Sequence, residues 1–197
     1  MKLIKFTHAC VRLESANGVL VIDPGIWSEP AALSGADAVL VTHEHADHVD
    51  RLRLAGLGAP VYAPAGAEIP GLDVRPVSAG DRLSLAGFSV RAMGGRHAHV
   101  YGEQPDCVNL GYLVDDLYHP GDSLHVPDQA VGTLLVPAHA SWLKLAEAID
   151  FVKAVRPRRM HPIHDGQVNE RALASINDWF TRETDAGYRY LPPGATA

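Results

Sequence analysis

Short apolar runs separated by turn residues fill the first half of the chain. Residues 3–6, 10–14 and 19–22 read as strands, and Ser15-Ala16-Asn17-Gly18 carries the Asn-Gly signal of a hairpin. Ile22-Asp23-Pro24-Gly25 ends a strand in a tight turn. Residues 38–42 are continuously apolar up to Thr42, which predicts a buried strand. Further strands are expected around Val61 and at 74–77, 82–85 and 88–93. In the second half, 109–114 and 117–119 flank an Asp115-Asp116 turn, and 133–136 is another strand. Helical spacing marks 144–155, through Leu145, Ala148, Ile149 and Val152, and 169–181, through Leu173, Ile176, Trp179 and Phe180. Two β-rich portions with interspersed helices predict a layered α/β sandwich rather than a simple βαβ repeat.

The chain's 197 residues suit one domain over 1–197, ending in a frayed Pro192-Pro193-Gly194-Ala195-Thr196-Ala197 tail. A formal charge of −6 disfavours broad nucleic-acid binding, which depends on Lys and Arg, but admits a small phosphorylated substrate. No apolar run approaches the roughly 18 residues that span a bilayer. The start runs directly into strand-like sequence with no signal-peptide core, so a cytoplasmic location is expected. Cys10 and Cys107 are far apart, and both read as free, small apolar residues.

Eleven histidines are many for this length, and their positions matter more than their number. His43-Glu44-His45-Ala46-Asp47-His48 packs four potential ligands into six residues, directly after the strand expected to end at Thr42. In extended backbone His43 and His45 point the same way, and Asp47 and His48 fall where the chain turns toward a helix. One segment can then serve two metals. A polar surface turn is the alternative, but so dense a cluster at a strand end argues against it.

This H-x-H-x-D-H pattern resembles the signature of the metallo-β-lactamase superfamily. Leu20-Val21-Ile22-Asp23-Pro24-Gly25 resembles its early strand-turn element. Tyr118-His119-Pro120-Gly121-Asp122-Ser123 resembles its strand-Gly-Asp element, and Pro162-Ile163-His164-Asp165-Gly166 its final histidine segment. The resemblance implies a four-layer αββα sandwich holding two divalent metal ions. His43, His45 and a third histidine would hold the first, Asp47, His48 and His164 the second, with Asp122 bridging. The third histidine is His97 or His99, and His97, after a glycine pair, is preferred. Asp47 would bind the metal-bridging hydroxide and pass a proton to the leaving group. Nitrogen and oxygen donors suit Zn²⁺, and Mn²⁺ and Fe also accept them.

The other histidines divide. His8 reads either as pocket-lining or as a hydrogen-bonded structural residue. His119 reads as structural, His125 and His161 as structural or exposed, and His139 follows a strand that could bring it to the cleft. Asp23 either orients a ligating histidine or stabilises its own turn.

His45 stands where di-iron members of the superfamily carry Glu, and Asp122 where many β-lactamases carry Cys. The chain has neither a cap domain nor a Gly/basic arm. It resembles the small, lactonase-like branch of metal-dependent hydrolases. The expected function is hydrolysis of an ester, a lactone or a related small substrate. The second reading is a phosphodiesterase on a nucleotide or phospholipid head group, which needs cations such as Arg96 or Lys144. A third, an iron redox or binding protein on the same scaffold, fits poorly with a complete ligand set. The expected partner is a small-molecule substrate, with no nucleic acid and no membrane. Trp27 and Trp142, in loops, could wall a pocket, join a homo-oligomer or simply pack.

Overall fold

A computed structural model describes residues 1–105 and 107–197. The strands β1 (Lys2–Lys5), β2 (Val11–Ser15) and β3 (Gly18–Ile22) form an antiparallel meander; β1 and the start of β2 alternate buried and less buried positions, and β3 ends in three buried residues, Leu20, Val21 and Ile22. Ser15 pairs with Gly18, so the first hairpin turns through Ala16 and Asn17, one residue earlier than the Asn-Gly signal suggests. β4 (Ala38–Leu40), β5 (Val61–Pro64) and β6 (Val74–Val77) continue this sheet in parallel. Among the described residues a second sheet has seven strands. Its antiparallel half is β7 (Arg82–Leu85), β8 (Phe88–Gly94), β9 (Leu110–Val114) and β10 (Leu117–His119). Its parallel half adds β11 (Thr133–Pro137), β12 (Arg159–Ile163) and β13 (Gly187–Tyr188).

The two sheets bury a shared core in which Leu13, Leu20, Ile22 and Leu40 belong to the first and Phe88, Tyr112 and Leu117 to the second. The outer face of the second sheet packs under α2 (Leu145–Val155) and α3 (Glu170–Glu183), where Phe151, Val152 and Phe180 join Leu134 and Met160. Across the first sheet lie a 3-10 turn, Pro30–Leu33, and α1 (Arg51–Ala55), whose Leu33 and Leu54 join Val21, Val39 and Val61. The result is a helix–sheet–sheet–helix stack in which the layer over the first sheet is short.

Two departures from the sequence pattern have local causes. β4 stops at Leu40, not Thr42, because the polar groups beyond it are claimed elsewhere. Thr42 donates its N–H and its hydroxyl to Asp23, and its carbonyl accepts from Leu110 N–H of the opposite sheet. β12 was hidden by Pro162, which lacks a ladder donor and normally argues against a central strand.

The strands then release their chain at one rim. His8 follows β1, Asp23 follows β3, and the His43-to-His48 segment follows β4. His97 follows β8, Asp122 follows β10 and His164 follows β12. Rigid strand ends feeding short loops place side chains accurately while leaving them free of the sheet ladder.

Candidate metal centre

The rim gathers His43, His45 and His97 into one group and His8, Asp47, His48 and His164 into another, with His43, His48 and Asp122 between them. In each group the potential ligand atoms lie within 4.8 Å of one another. All seven residues of the expected ligand set are therefore brought together. His99 is not: it is exposed and its ring bonds the Gly102 carbonyl.

The imidazoles are oriented from behind. His48 Nδ1 donates to Asp23 Oδ2 at 2.7 Å, and His43 Nδ1 to Thr42 Oγ1 at 3.0 Å. His97 Nδ1 donates to the Ala98 carbonyl at 2.6 Å, and His164 Nδ1 to that of His139. A proton fixed on Nδ1 leaves the Nε2 lone pair facing the interior, as metal-bound histidines require. The Nε2 atoms of His43, His48, His97 and His164, and Oδ1 of Asp122, are buried without a hydrogen-bond partner. Such orphans are costly unless something else satisfies them.

Asp122 sits at the centre. Its Oδ1 is 3.1 Å from His48 Nε2, and its Oδ2 is 3.3 Å from His97 Nε2 and 3.1 Å from His164 Nε2. These approaches are close in distance, yet they are not aligned as hydrogen bonds, which is why the same nitrogens count as unpartnered. Donors about 2.0–2.2 Å from a shared cation stand about 3.3 Å apart at tetrahedral angles. The observed spacings match the edges of such a coordination shell. The donor set, imidazole and carboxylate, fits two divalent cations.

Charge points the same way. Burial opposes ionisation of Asp122, but His48 and His164 hold its carboxyl well below the usual range. Burial also opposes ionisation of Asp47, and the His8 hydrogen bond with the nearby His48 takes it down to about 2. Burial, aided by His48, drives His43 well below its ordinary value, and burial together with His97 lowers His45. His48 goes the other way: despite burial, Asp122 and Asp23 raise it well above normal. The protein thus draws a positive charge to the point where the ligands converge. The ionised Asp47 and Asp122 and the neutral His43 and His45 are in the donor forms a metal needs.

Three participants stand outside the expected set. His8, fully buried, reaches Asp47 Oδ2 with Nε2 at 3.1 Å, while its Nδ1 faces Gly166 N–H at 3.3 Å. The Gly166 N–H can only donate, so the His8 proton sits on Nε2 and is given to Asp47. Burial lowers His8 to about 4 and keeps it neutral. Its positive φ of 68° is stabilised by the buried Lys5–Asp165 pair, since Asp165 also accepts His8 N–H. Trp142 donates from Nε1 to Asp122 Oδ2 at 3.0 Å, which fixes both the carboxylate and the indole. Cys107, unlike the deeply buried Cys10, is half-buried and brings Sγ to 3.9 Å from His45 Nε2. It is therefore not the simple buried apolar residue its sequence suggests. Asp23 is resolved as the orienting residue. His119 is structural: it donates to the Ala9 carbonyl and accepts from Gly121 N–H. His139 is exposed and contributes only its carbonyl.

The chain matches the family model described as beta-lactamase superfamily domain over residues 2–164, a span that includes all seven residues of the expected ligand set. Protein Rv0786c of Mycobacterium tuberculosis is 40% identical, with 98% of this chain and 97% of that protein covered. A UPF0173 metal-dependent hydrolase of Thermoplasma volcanium is 31% identical, covering 83% of each chain. The solved structure of Igni18, a metallo hydrolase from Ignicoccus hospitalis, superposes with a TM-score of 0.75 at 20% identity. That superposition covers 100% of this chain and 97% of Igni18.

Proposed function

From the premise that this chain belongs to the metallo-β-lactamase superfamily, among the UPF0173 metal-dependent hydrolases, we propose that it cleaves a small ester, lactone or related acyl compound at a binuclear centre. In this reading His43, His45 and His97 hold one cation and Asp47, His48 and His164 the other, with Asp122 between them. Zn²⁺ is the first choice for these donors, with Mn²⁺ and Fe as alternatives. The observation that carries the reading is the set of buried, unpartnered Nε2 atoms converging on Asp122.

When bound, such a pair of cations supplies an activated water and a Lewis acid for the scissile oxygen. The remaining chemistry belongs to the chain. Asp47 is the one carboxylate of the site with appreciable exposure, at 21% of its side chain, so it can meet both water and substrate. His8 holds one Asp47 oxygen and leaves the other free. Asp47 then takes the proton of the attacking water and returns it to the leaving group. Trp142 and Asp23 keep Asp122 and His48 from turning away.

A phosphodiesterase is the second reading, since the same donor set suits phosphoryl transfer. Neither Arg96 nor Lys144 lines the cleft over the site, which favours the acyl reading. The test is metal-loaded protein assayed on lactones, thioesters and bis-p-nitrophenyl phosphate. Turnover of an acyl substrate is expected, and its loss in Asp47→Asn with metal content unchanged. Activity on the phosphodiester alone would replace the first reading by the second.

A further inference from the structure

The ligand set opens into a cleft of about 490 Å³, within the range of small-molecule sites. Beyond the clustered His and Asp residues, no described residue of its walls carries a charge. Val100, Tyr101, Pro105 and Trp142 provide apolar surface, and Gln104, Ser141 and Gln167 provide neutral polar groups. Among the described lining residues there is no Lys, Arg or Glu.

Two further features give this wall a function. Trp142 is pinned by its bond to Asp122, with its ring 6.2 Å from that of His97 and 6.4 Å from that of His164. It is therefore a fixed apolar face beside the ligand set. In the same cleft, Val100 and Tyr101 are 43% and 86% exposed. Their N–H groups both bond the Gln104 carbonyl, at 2.9 and 3.2 Å, so the rim they occupy is a built turn. Large apolar side chains held at a cleft mouth are a surface that a ligand covers.

We propose that the substrate is an uncharged compound with an apolar body, seated between Trp142 and the Val100–Tyr101 rim with its scissile group toward Asp47 and Asp122. This rests on the reading of the site as a metal-dependent hydrolase. A carboxylate or phosphate on the body of the substrate would find no cation in the described wall to pair with. An alkyl or aryl group would bury the rim and the indole. The amides of Gln104 and Gln167 can bond neutral oxygen or nitrogen without demanding charge.

The test separates the body of the ligand from its metal-binding head. Hexanohydroxamic acid and glutaric acid monohydroxamate share a head group and nearly share a length, but the second ends in a carboxylate. Binding of each to the zinc-loaded protein is measured by calorimetry. The alkyl tail should bind about tenfold more tightly, the factor expected for a pair of buried methylenes. Tyr101→Lys, at an exposed position that folding does not need, should narrow or reverse that preference. Equal or tighter binding of the carboxylate tail to the unsubstituted protein overturns the proposal and leaves the metal site standing. Binding of neither hydroxamate would overturn the metal site itself, and the proposal with it.

Discussion

Asp23 Oδ2 accepts the Nδ1 proton of His48 at 2.7 Å and, through the Thr42 hydroxyl, also orients His43. One buried carboxylate thus sets imidazoles that face both candidate metal positions. Replacing it should weaken metal binding without touching a ligand. Asp23→Asn is expected to lower affinity by about 10–100-fold, read by competition with a chromophoric chelator. An unchanged affinity would reduce Asp23 to a turn residue.

The His8–Asp47 bond makes a second prediction. His8 is locked as an Nε2 donor, so glutamine, which keeps an N–H at similar reach, should substitute better than alanine. His8→Ala is expected to lower kcat/KM by about 10–100-fold, the loss of one hydrogen bond to a charged group. His8→Gln should recover most of it, with metal content the same in both. Equal loss in the two variants would show that the ring's packing against Trp27 and His164 matters, and not its proton.

Much of this arrangement was readable from residue order, and the unread part has physical reasons. The period-2 and continuous apolar runs located most strands of both sheets because those strands have a face in the shared core, but they located neither β12 nor β13. α1 carries no stripe, since Leu54 is buried and Leu52 is 82% exposed, so nothing in its pattern announces a helix. The dense His43-to-His48 segment announced a site by itself. Distant members of the candidate set such as Asp122 and His164 needed the family resemblance to be singled out. For His8 and Trp142 the sequence leaves pocket-lining and plain packing both open, and only folding sets them against Asp47 and Asp122.

Gly25 tests how closely the early turn supports the site. A Cβ at this position would lie 1.8 Å from the Asp47 carbonyl oxygen and 2.1 Å from its carbon. Gly25→Ala must therefore push back the loop that carries Asp47 and His48. A loss of about 3 kcal/mol is expected in denaturant melts, with weaker metal binding. A neutral effect would mean that the turn does not brace the loop.

Metal removal should be costly because the convergent Nε2 atoms of His43, His48, His97 and His164, and Oδ1 of Asp122, have no other partners. At free metal a thousandfold above Kd, binding adds about 4 kcal/mol to stability. Stripping with a chelator should lower Tm, and Zn²⁺ should restore it. A Tm indifferent to chelator would imply that the cluster satisfies itself.

Metal stoichiometry tests the central claim most directly. The wild-type chain should bind about two divalent ions, one at each His/Asp group. His97→Ala should remove one and His164→Ala the other, each variant keeping about one ion. A wild-type stoichiometry of one or none would contradict the binuclear centre, and two ions retained by His164→Ala would contradict the place given to His164 in it.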